Sequence, residues 1–348
     1  MRFLMNKKIL HIINKLEIGG VEVGVLNLLL NSKSNNYTVL CVKGVDNDLY
    51  NSLPHDKRKN IIICNGYLSS LLTVRKENFN IIVSSLWRSH FVSLALKIFN
   101  TKAKYIHFVH STKFEHLIDK IVTKISRHKA DYLITDSEET KNSISNNVKE
   151  TFVCPMNVSF LDENFIKKSD MNKMDFVYVG RFDKCKNIKL SIDFIEKLYN
   201  KGLKVKFDIY GRDSGDKLNL INYINDKKLN KIITFKGEIM PHNVEYIMSS
   251  YNFYLQTSEY EGMALSVYQA LNVGLLPLVT PVGEISNYTK NRYNAIYINK
   301  SDLDATVKVF ISDYESEFIG YKIGAIRNKL AYLPFHNTFF SIISTIRN

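Results

Sequence analysis

Short apolar, β-branched runs alternate along this chain with stretches in which apolar residues recur every three or four positions. Runs of the first kind predict strands in KKILHIIN, YTVLCVKG, NIIICNG, FNIIVSSLW, AKYIHFVHS and DYLITDS. Stretches of the second kind predict helices between them, over 21–31, 89–99 and 114–129. A second series of strands follows in DFVYVGR, LKVKFDIYG, KIITFKG, YNFYLQTS, GLLPLVT and NAIYI. One connection shows the logic: Leu190, Phe194, Ile195 and Leu198 share a helical face, Gly202 is placed to stop the helix, and Val205, Phe207 and Ile209 then alternate. Strands that alternate with helices give parallel sheets covered on both faces.

The polar stretch LDENFIKKSDMNKM separates the two series, so the boundary is expected near residues 160–173. The expected plan is α/β: two Rossmann-like doubly wound domains, 1–162 and 163–330, facing each other across a cleft. A C-terminal helix in 331–348 is expected to pack back on the first domain. Ligands in such sheets bind beyond the carboxyl ends of the strands.

Composition narrows the partners. With 348 residues, 45% of them hydrophobic, there is enough apolar material for two real cores. The formal net charge of +13 suits an anionic partner, but the whole chain is rich in Lys, Asn and Ile, so part of that charge is background. No window resembles a zinc finger or an aromatic RNA-binding motif, and no nucleic-acid partner is expected. Cys41, Cys64, Cys154 and Cys185 show no paired or metal-ligand spacing, as in a reduced, cytoplasmic protein. No apolar run reaches the length of a spanning helix.

The segment SEYEGMALSVYQALNVGLLPLVT holds the densest candidate chemistry. It sets Glu261 and Gly262 where a strand hands over to a helix, with Gln269 eight residues after the acid. If helical throughout, eight residues span about 12 Å, the reach from the sugar of a nucleotide-sugar to its ribose. Unbonded amides from Met263 through Ala264 to Leu265 would face the phosphates between. In VYVGRFDKCKN a strand ends at Gly180 and delivers Arg181 and Lys186 into a loop, cations suited to a diphosphate whose charge grows as the sugar leaves. FKGEI, with Gly237 and Ile239, can place backbone groups beside a base. Gly19 and Gly20 precede a helix, a turn that lets a phosphate or sugar approach or that is simply tight. His110, at a strand end, is a candidate for a sugar hydroxyl. Asp46-Asn47-Asp48 matches a DxD formally and reads as an acidic turn; no metal is expected. The helix FEHLIDKIVTKISRH carries Leu117, Ile118, Ile121, Val122 and Ile125 on one face and lysines elsewhere. It is either a solvated amphipathic helix or a basic surface for anionic lipid.

Together these residues resemble the retaining GT-B glycosyltransferases of the family that includes glycogen synthases and bacterial mannosyl- and glucosyltransferases, glycosyltransferase family 4-like. GGVE is similar to its glycine loop, HFVHST to the strand bearing its active-site histidine, VGRFDKCKN to its diphosphate-binding segment, and EGMALSVYQAL to its donor-sugar motif. DYLITDSEETKNSI and PMNVSF resemble two further segments of that family. The resemblance implies that Glu261 contacts the donor sugar, that the backbone of 263–265 cradles phosphate, and that residue 269 binds ribose. It also implies retention of configuration. Gln269 departs from the pattern, since an acid is usual there, and so does VGEISN at 282–287. The expected activity is metal-independent hexosyl transfer from a nucleotide-sugar to a saccharide or lipid-linked saccharide in bacterial surface polysaccharide synthesis, with peripheral membrane contact and no cofactor. A nucleotide-sugar epimerase and a degenerate binding subunit are the alternatives.

Overall fold

The computed structural model describes residues 7–32, 36–99, 102–110, 114–144, 149–160, 173–316 and 334–346. Within them the elements run β1 (Ile9–Ile13), α1 (Gly20–Asn31), β2 (Tyr37–Cys41), α2 (Asn47–Asn51), α3 (His55–Arg58), β3 (Ile61–Ile63), α4 (Tyr67–Val74), β4 (Ile81–Ser85) and α5 (Trp87–Phe99). Then come β5 (Lys104–Val109), α6 (Leu117–Lys129), β6 (Tyr132–Thr135), α7 (Glu138–Ser143) and β7 (Thr151–Val153). The second series is β8 (Met174–Val179), α8 (Ile188–Asn200), β9 (Val205–Tyr210), α9 (Lys217–Asp226), β10 (Ile233–Gly237), α10 (Val244–Met248) and β11 (Phe253–Gln256). It continues with α11 (Leu265–Asn272), β12 (Leu276–Val279), α12 (Ile285–Tyr288), β13 (Ile296–Tyr297), α13 (Leu303–Glu315) and α14 (Phe335–Thr345).

All twelve expected strands are present. The thirteenth, β7, is three half-buried residues at a sheet edge, too short to carry a periodic signal. Every recorded strand pair is parallel. The sheets have the orders β3-β2-β1-β4-β5-β6-β7 and β10-β9-β8-β11-β12-β13. Both reverse direction beside their first strand, at β1/β4 and at β8/β11, where doubly wound sheets leave a crevice.

The chain forms two compact units, Met1–Val158 with Leu333–Asn348, and Ser159–Tyr332. The expected boundaries at 162/163 and 330/331 fall outside the described residues. α14 belongs to the first unit: Phe339 stacks on His11, and a Cβ on Gly24 of α1 would stand 3.4 Å from the Phe335 ring. The Lys7 ammonium donates to the carbonyls of Ile343 and Ile346. In the second unit, Phe176, Phe194, Phe253 and Phe310 interlock with centroids 4.8–6.2 Å apart. Such aromatic pairs add about 1 kcal/mol each beyond their area. Glu245, buried, accepts from the Ser159 hydroxyl and the Phe160 amide and so fixes the start of this unit. Among the described residues, no helix is long and apolar enough to cross a membrane.

α6 departs from expectation. It starts at Leu117, and its buried face is Asp119, Val122, Thr123 and Ser126. Of the five apolar residues expected to share a face, only Val122 is buried. A polar partner on β5 explains the orientation: Ser126 Oγ meets His107 Nδ1 at 2.6 Å, while inside the helix Thr123 Oγ1 donates to Asp119 at 2.8 Å.

Candidate active site

The second unit gathers its candidate residues at the β8/β11 crevice. β11 ends at Gln256, and the chain then turns through Thr257 to Ala264 before α11 begins. Glu261 is buried in that turn. Its Oε1 accepts from Lys186 Nζ at 2.7 Å, Gln256 Nε2 at 2.8 Å and Ser258 Oγ at 2.5 Å; among the described residues its Oε2 accepts from Lys186 alone, at 2.9 Å. Lys186 comes from the 3₁₀ turn Lys184–Lys186 after β8, and the side chains of Lys186 and Glu261 are 18% and 8% exposed. An ion pair so desolvated needs its neutral donors as well, and Gln256 and Ser258 supply them.

The two loops are clipped together by more than this pair. The Glu259 amide donates to the Cys185 carbonyl at 2.8 Å, Asn187 Nδ2 to Glu259 at 2.6 Å, and Thr257 Oγ1 to the Asn187 carbonyl at 2.8 Å. Asn187 holds a left-handed φ of 44°, closing the 3₁₀ turn directly onto α8. Arg181 stands at the same sheet edge but is 60% exposed, its guanidinium 3.7 Å from Asp183. The structure therefore joins Lys186 to Glu261 and leaves Arg181 exposed beside Asp183. Gly180 and Gly211 approach closely: a Cβ on Gly211 (φ +145°) would lie 1.8 Å from the Gly180 carbonyl oxygen.

α11 begins later than the spacing suggested. Ala264, at φ 53° and ψ 62°, is left-handed and cannot be a helical residue, so Leu265 is the first. Glu261 to Gln269 is thus four loop residues plus about 6 Å of helix, not a continuous 12 Å rise. Among the described residues, the amides of Met263, Ala264, Leu265 and Ser266 donate to nothing. An open helix start of this kind attracts anions. Gln269 is buried one turn in, and its side-chain amide has no partner among the described residues.

The VGEISN loop, which departs from the family pattern, braces this turn. Gly283 in VGEISN, at φ +59°, packs where a Cβ would meet the Glu261 carbonyl oxygen at 2.1 Å. The Glu284 amide donates to the Gly262 carbonyl at 3.0 Å, and the Tyr288 hydroxyl to the Met263 carbonyl at 2.9 Å. Tyr254, beneath, donates to Gln256 Oε1 at 2.6 Å and lies 2.8 Å from Ser266 Oγ. Burial, and then the Glu261 charge, push the phenols of Tyr254 and Tyr288 up, so both stay neutral. Gly237 (φ +87°) ends β10, its carbonyl accepting from the Gly211 amide at 2.8 Å, and Ile239 beyond it is buried.

In the first unit, His110 follows β5. Its Nε2 lies 2.9 Å from Ser85 Oγ at the end of β4, and Ser85 Oγ is also 2.8 Å from His11 Nε2 on β1. His11 Nδ1 meets the Tyr37 hydroxyl at 2.7 Å. Ser85 thus links two histidines at the β1/β4 crevice, a relay that no sequence motif announced. Burial holds both rings down at about 3, so they are neutral, and His110 Nδ1 is a buried ring nitrogen without a hydrogen bond among the described residues. Ser111 and Thr112, expected beside it, lie outside the described residues. Gly20 is the first residue of α1, whose cap Gly19 sits against the Glu22 carboxylate. Asp46 caps α2, accepting from the Leu49 amide at 2.9 Å, which accounts for the first acid of the DxD as local structure.

Residues 160–317, inside the second unit, match the family model described as glycosyl transferases group 1. The capsular polysaccharide biosynthesis glycosyltransferase CapH of Staphylococcus aureus is 23% identical over 337 residues, covering 88% of this chain and 91% of that protein. Among solved structures, HepE of Anabaena in complex with UDP and glucose is similar at a TM-score of 0.81 with 13% identity, over 98% of this chain and 99% of that one. Sucrose-phosphate synthase of Thermosynechococcus elongatus gives 0.76 with 16% identity, over 98% of each chain. The chain therefore has the two-domain Rossmann-like fold of GT-B glycosyltransferases, and residues 160–317 of it are similar to the glycosyl transferases group 1 model.

Proposed function

We propose that the protein moves a hexose from a uridine diphosphate sugar to a saccharide acceptor, with retention and without a metal, in the synthesis of a bacterial surface polysaccharide such as capsule or O-antigen. One observation carries this reading: the Lys186–Glu261 pair set beside the open start of α11. Glu261 Oε1 has three donors and Oε2 one. Oε2 therefore keeps acceptor capacity for a sugar hydroxyl. Lys186 has three N–H donors and spends two on the carboxylate. The third can follow the diphosphate as its charge grows, and the amides of 263–266 add fixed positive dipoles. Arg181, exposed at the same sheet edge, adds a second cation. The buried free amide of Gln269 would meet the ribose diol in place of the usual acid. HepE, with UDP bound, and CapH motivate the uridine donor and the polysaccharide acceptor.

The test is incubation with radiolabelled nucleotide-sugars and capsular or lipid-linked saccharides, with and without EDTA, alongside calorimetry with UDP. Acceptor-dependent UDP release that survives EDTA is the expected result. A new sugar nucleotide would make the protein an epimerase, and binding without turnover a subunit. No affinity for any nucleoside diphosphate would end the proposal.

A further inference from the structure

The exposed large aliphatic and aromatic side chains are not spread evenly. Of fourteen such residues among the described ones, ten fall between Ile63 and Ile125 in the first unit, and the four in the second are Leu218 and three tyrosines. A background bias of the sequence would burden both units alike. The concentration is strongest on α6, where Leu117 (70%), Ile118 (58%), Ile121 (48%) and Ile125 (46%) stand open along one stripe while the helix buries Asp119, Thr123 and Ser126. Leaving four aliphatic side chains in water and turning polar ones inward is the reverse of what a helix on a soluble domain gains from.

The stripe continues across the start of the neighbouring helices. His116, which caps α6, meets the Trp87 ring at 4.8 Å; Trp87 meets Phe91 of α5 at 6.1 Å, and Phe91 meets Tyr67 of α4 at 5.6 Å. The Arg88 guanidinium lies 4.5 Å over Trp87. From 87 to 129 there are nine Lys and Arg against two acids, Glu115 and Asp119: nine minus two gives +7 of the chain's +13. One of the two acids, Asp119, is buried.

We infer that this face of the first unit docks on an anionic lipid bilayer, with the α6 stripe entering the headgroup region and Lys120, Lys124 and Lys129 pairing with lipid phosphates. Trp87 and Tyr67 are the amphipathic rings that settle at that depth. A second copy of the chain is a poorer occupant, because two such faces would bring like charges together. In a parallel sheet the helices start at the carboxyl ends of the strands, so α4, α5 and α6 open on the same sheet edge as His110. Docking there would bring that edge to the lipid surface. The inference does not rest on the donor chemistry, and either can fail alone.

The test is cosedimentation of the full chain with phosphatidylcholine vesicles, with and without phosphatidylglycerol, at low and high salt. Binding only to the anionic vesicles, weakened by salt, is expected. Lys120→Gln with Lys124→Gln should lower partitioning about 30-fold, at about 5-fold per lysine near the surface. Ile118→Ser with Ile121→Ser should lower it about 100-fold, at about 10-fold per aliphatic residue withdrawn. Leu218→Ser in the second unit should change nothing. Far-UV circular dichroism and an unchanged melting temperature check that each variant is folded. Absence of binding to anionic vesicles, or stripe variants that bind like the parent, would overturn the inference. So would a parent dimer that Ile121→Ser dissociates without any change in vesicle binding.

Discussion

Lys186 serves a structural and a chemical demand at once, and the magnitudes separate them. Removing it strands a buried carboxylate, which costs about 3 kcal/mol at most, because Gln256 and Ser258 still donate to Glu261. Removing a cation from a developing diphosphate costs about 10²-fold or more in rate. Lys186→Ala should therefore fold, with a modest drop in melting temperature, and lose at least two decades of turnover; a near-wild-type kcat would remove it from the chemistry. Gln269 poses the opposite problem. Gln269→Glu would place an unpartnered charge in a buried position, costing about 1–3 kcal/mol in the free protein. If the ribose diol is its partner, UDP should restore most of that loss, so the variant's UDP-induced thermal shift should exceed the parent's. An equal or smaller shift would place the ribose elsewhere. Gly211→Ala has no such subtlety: a methyl 1.8 Å from a backbone oxygen must move β8 or β9, and soluble yield should collapse.

At the scale of elements, the α8 entry and the α11 entry behave as one clipped unit. Cys185 sits on that clip, exposed, its thiol 3.4 Å from the Tyr260 carbonyl. Iodoacetamide should label Cys185 and depress activity, and saturating UDP should protect it. Mass spectrometry showing labelling that UDP leaves unchanged would separate the clip from the donor pocket. Element existence was legible where a strand is a short apolar run and a helix such as α8 keeps its period; the four-residue helices α3 and α12 and the three-residue β7 are too short to carry either signal. Element ends were less legible. α11 starts at Leu265 because Ala264 adopts a left-handed conformation in a turn held by Tyr288 and Gly283, residues 24 and 19 positions away. α6 turned its polar face inward because Tyr105 and His107 of β5 offered Ser126 buried hydrogen bonds, which an apolar count cannot register.

For the molecule as a whole, the buried histidines of the first unit set a pH limit. His11, His90 and His110 are held at about 3 by burial, and His107 is also driven far down. Unfolded, each would take a proton near its ordinary value of about 6.5. Their contribution is therefore complete above about pH 6.5 and is lost as pH falls from there toward about 3, by up to about 1.4 kcal/mol per histidine per pH unit. Urea midpoints should fall clearly between about pH 7.5 and pH 5; an unchanged midpoint would mean the rings already ionise when folded.

The order of elements, the parallel sheets and the candidate acid and cation were set by the sequence alone, because period and strand-end position are local properties. Whether Glu261 met Lys186, how Ser85 came to bridge His11 and His110, and which face α6 shows to water were settled only by tertiary structure. Each depends on groups distant along the chain competing for the same buried hydrogen bonds, and that competition leaves no trace in a local pattern.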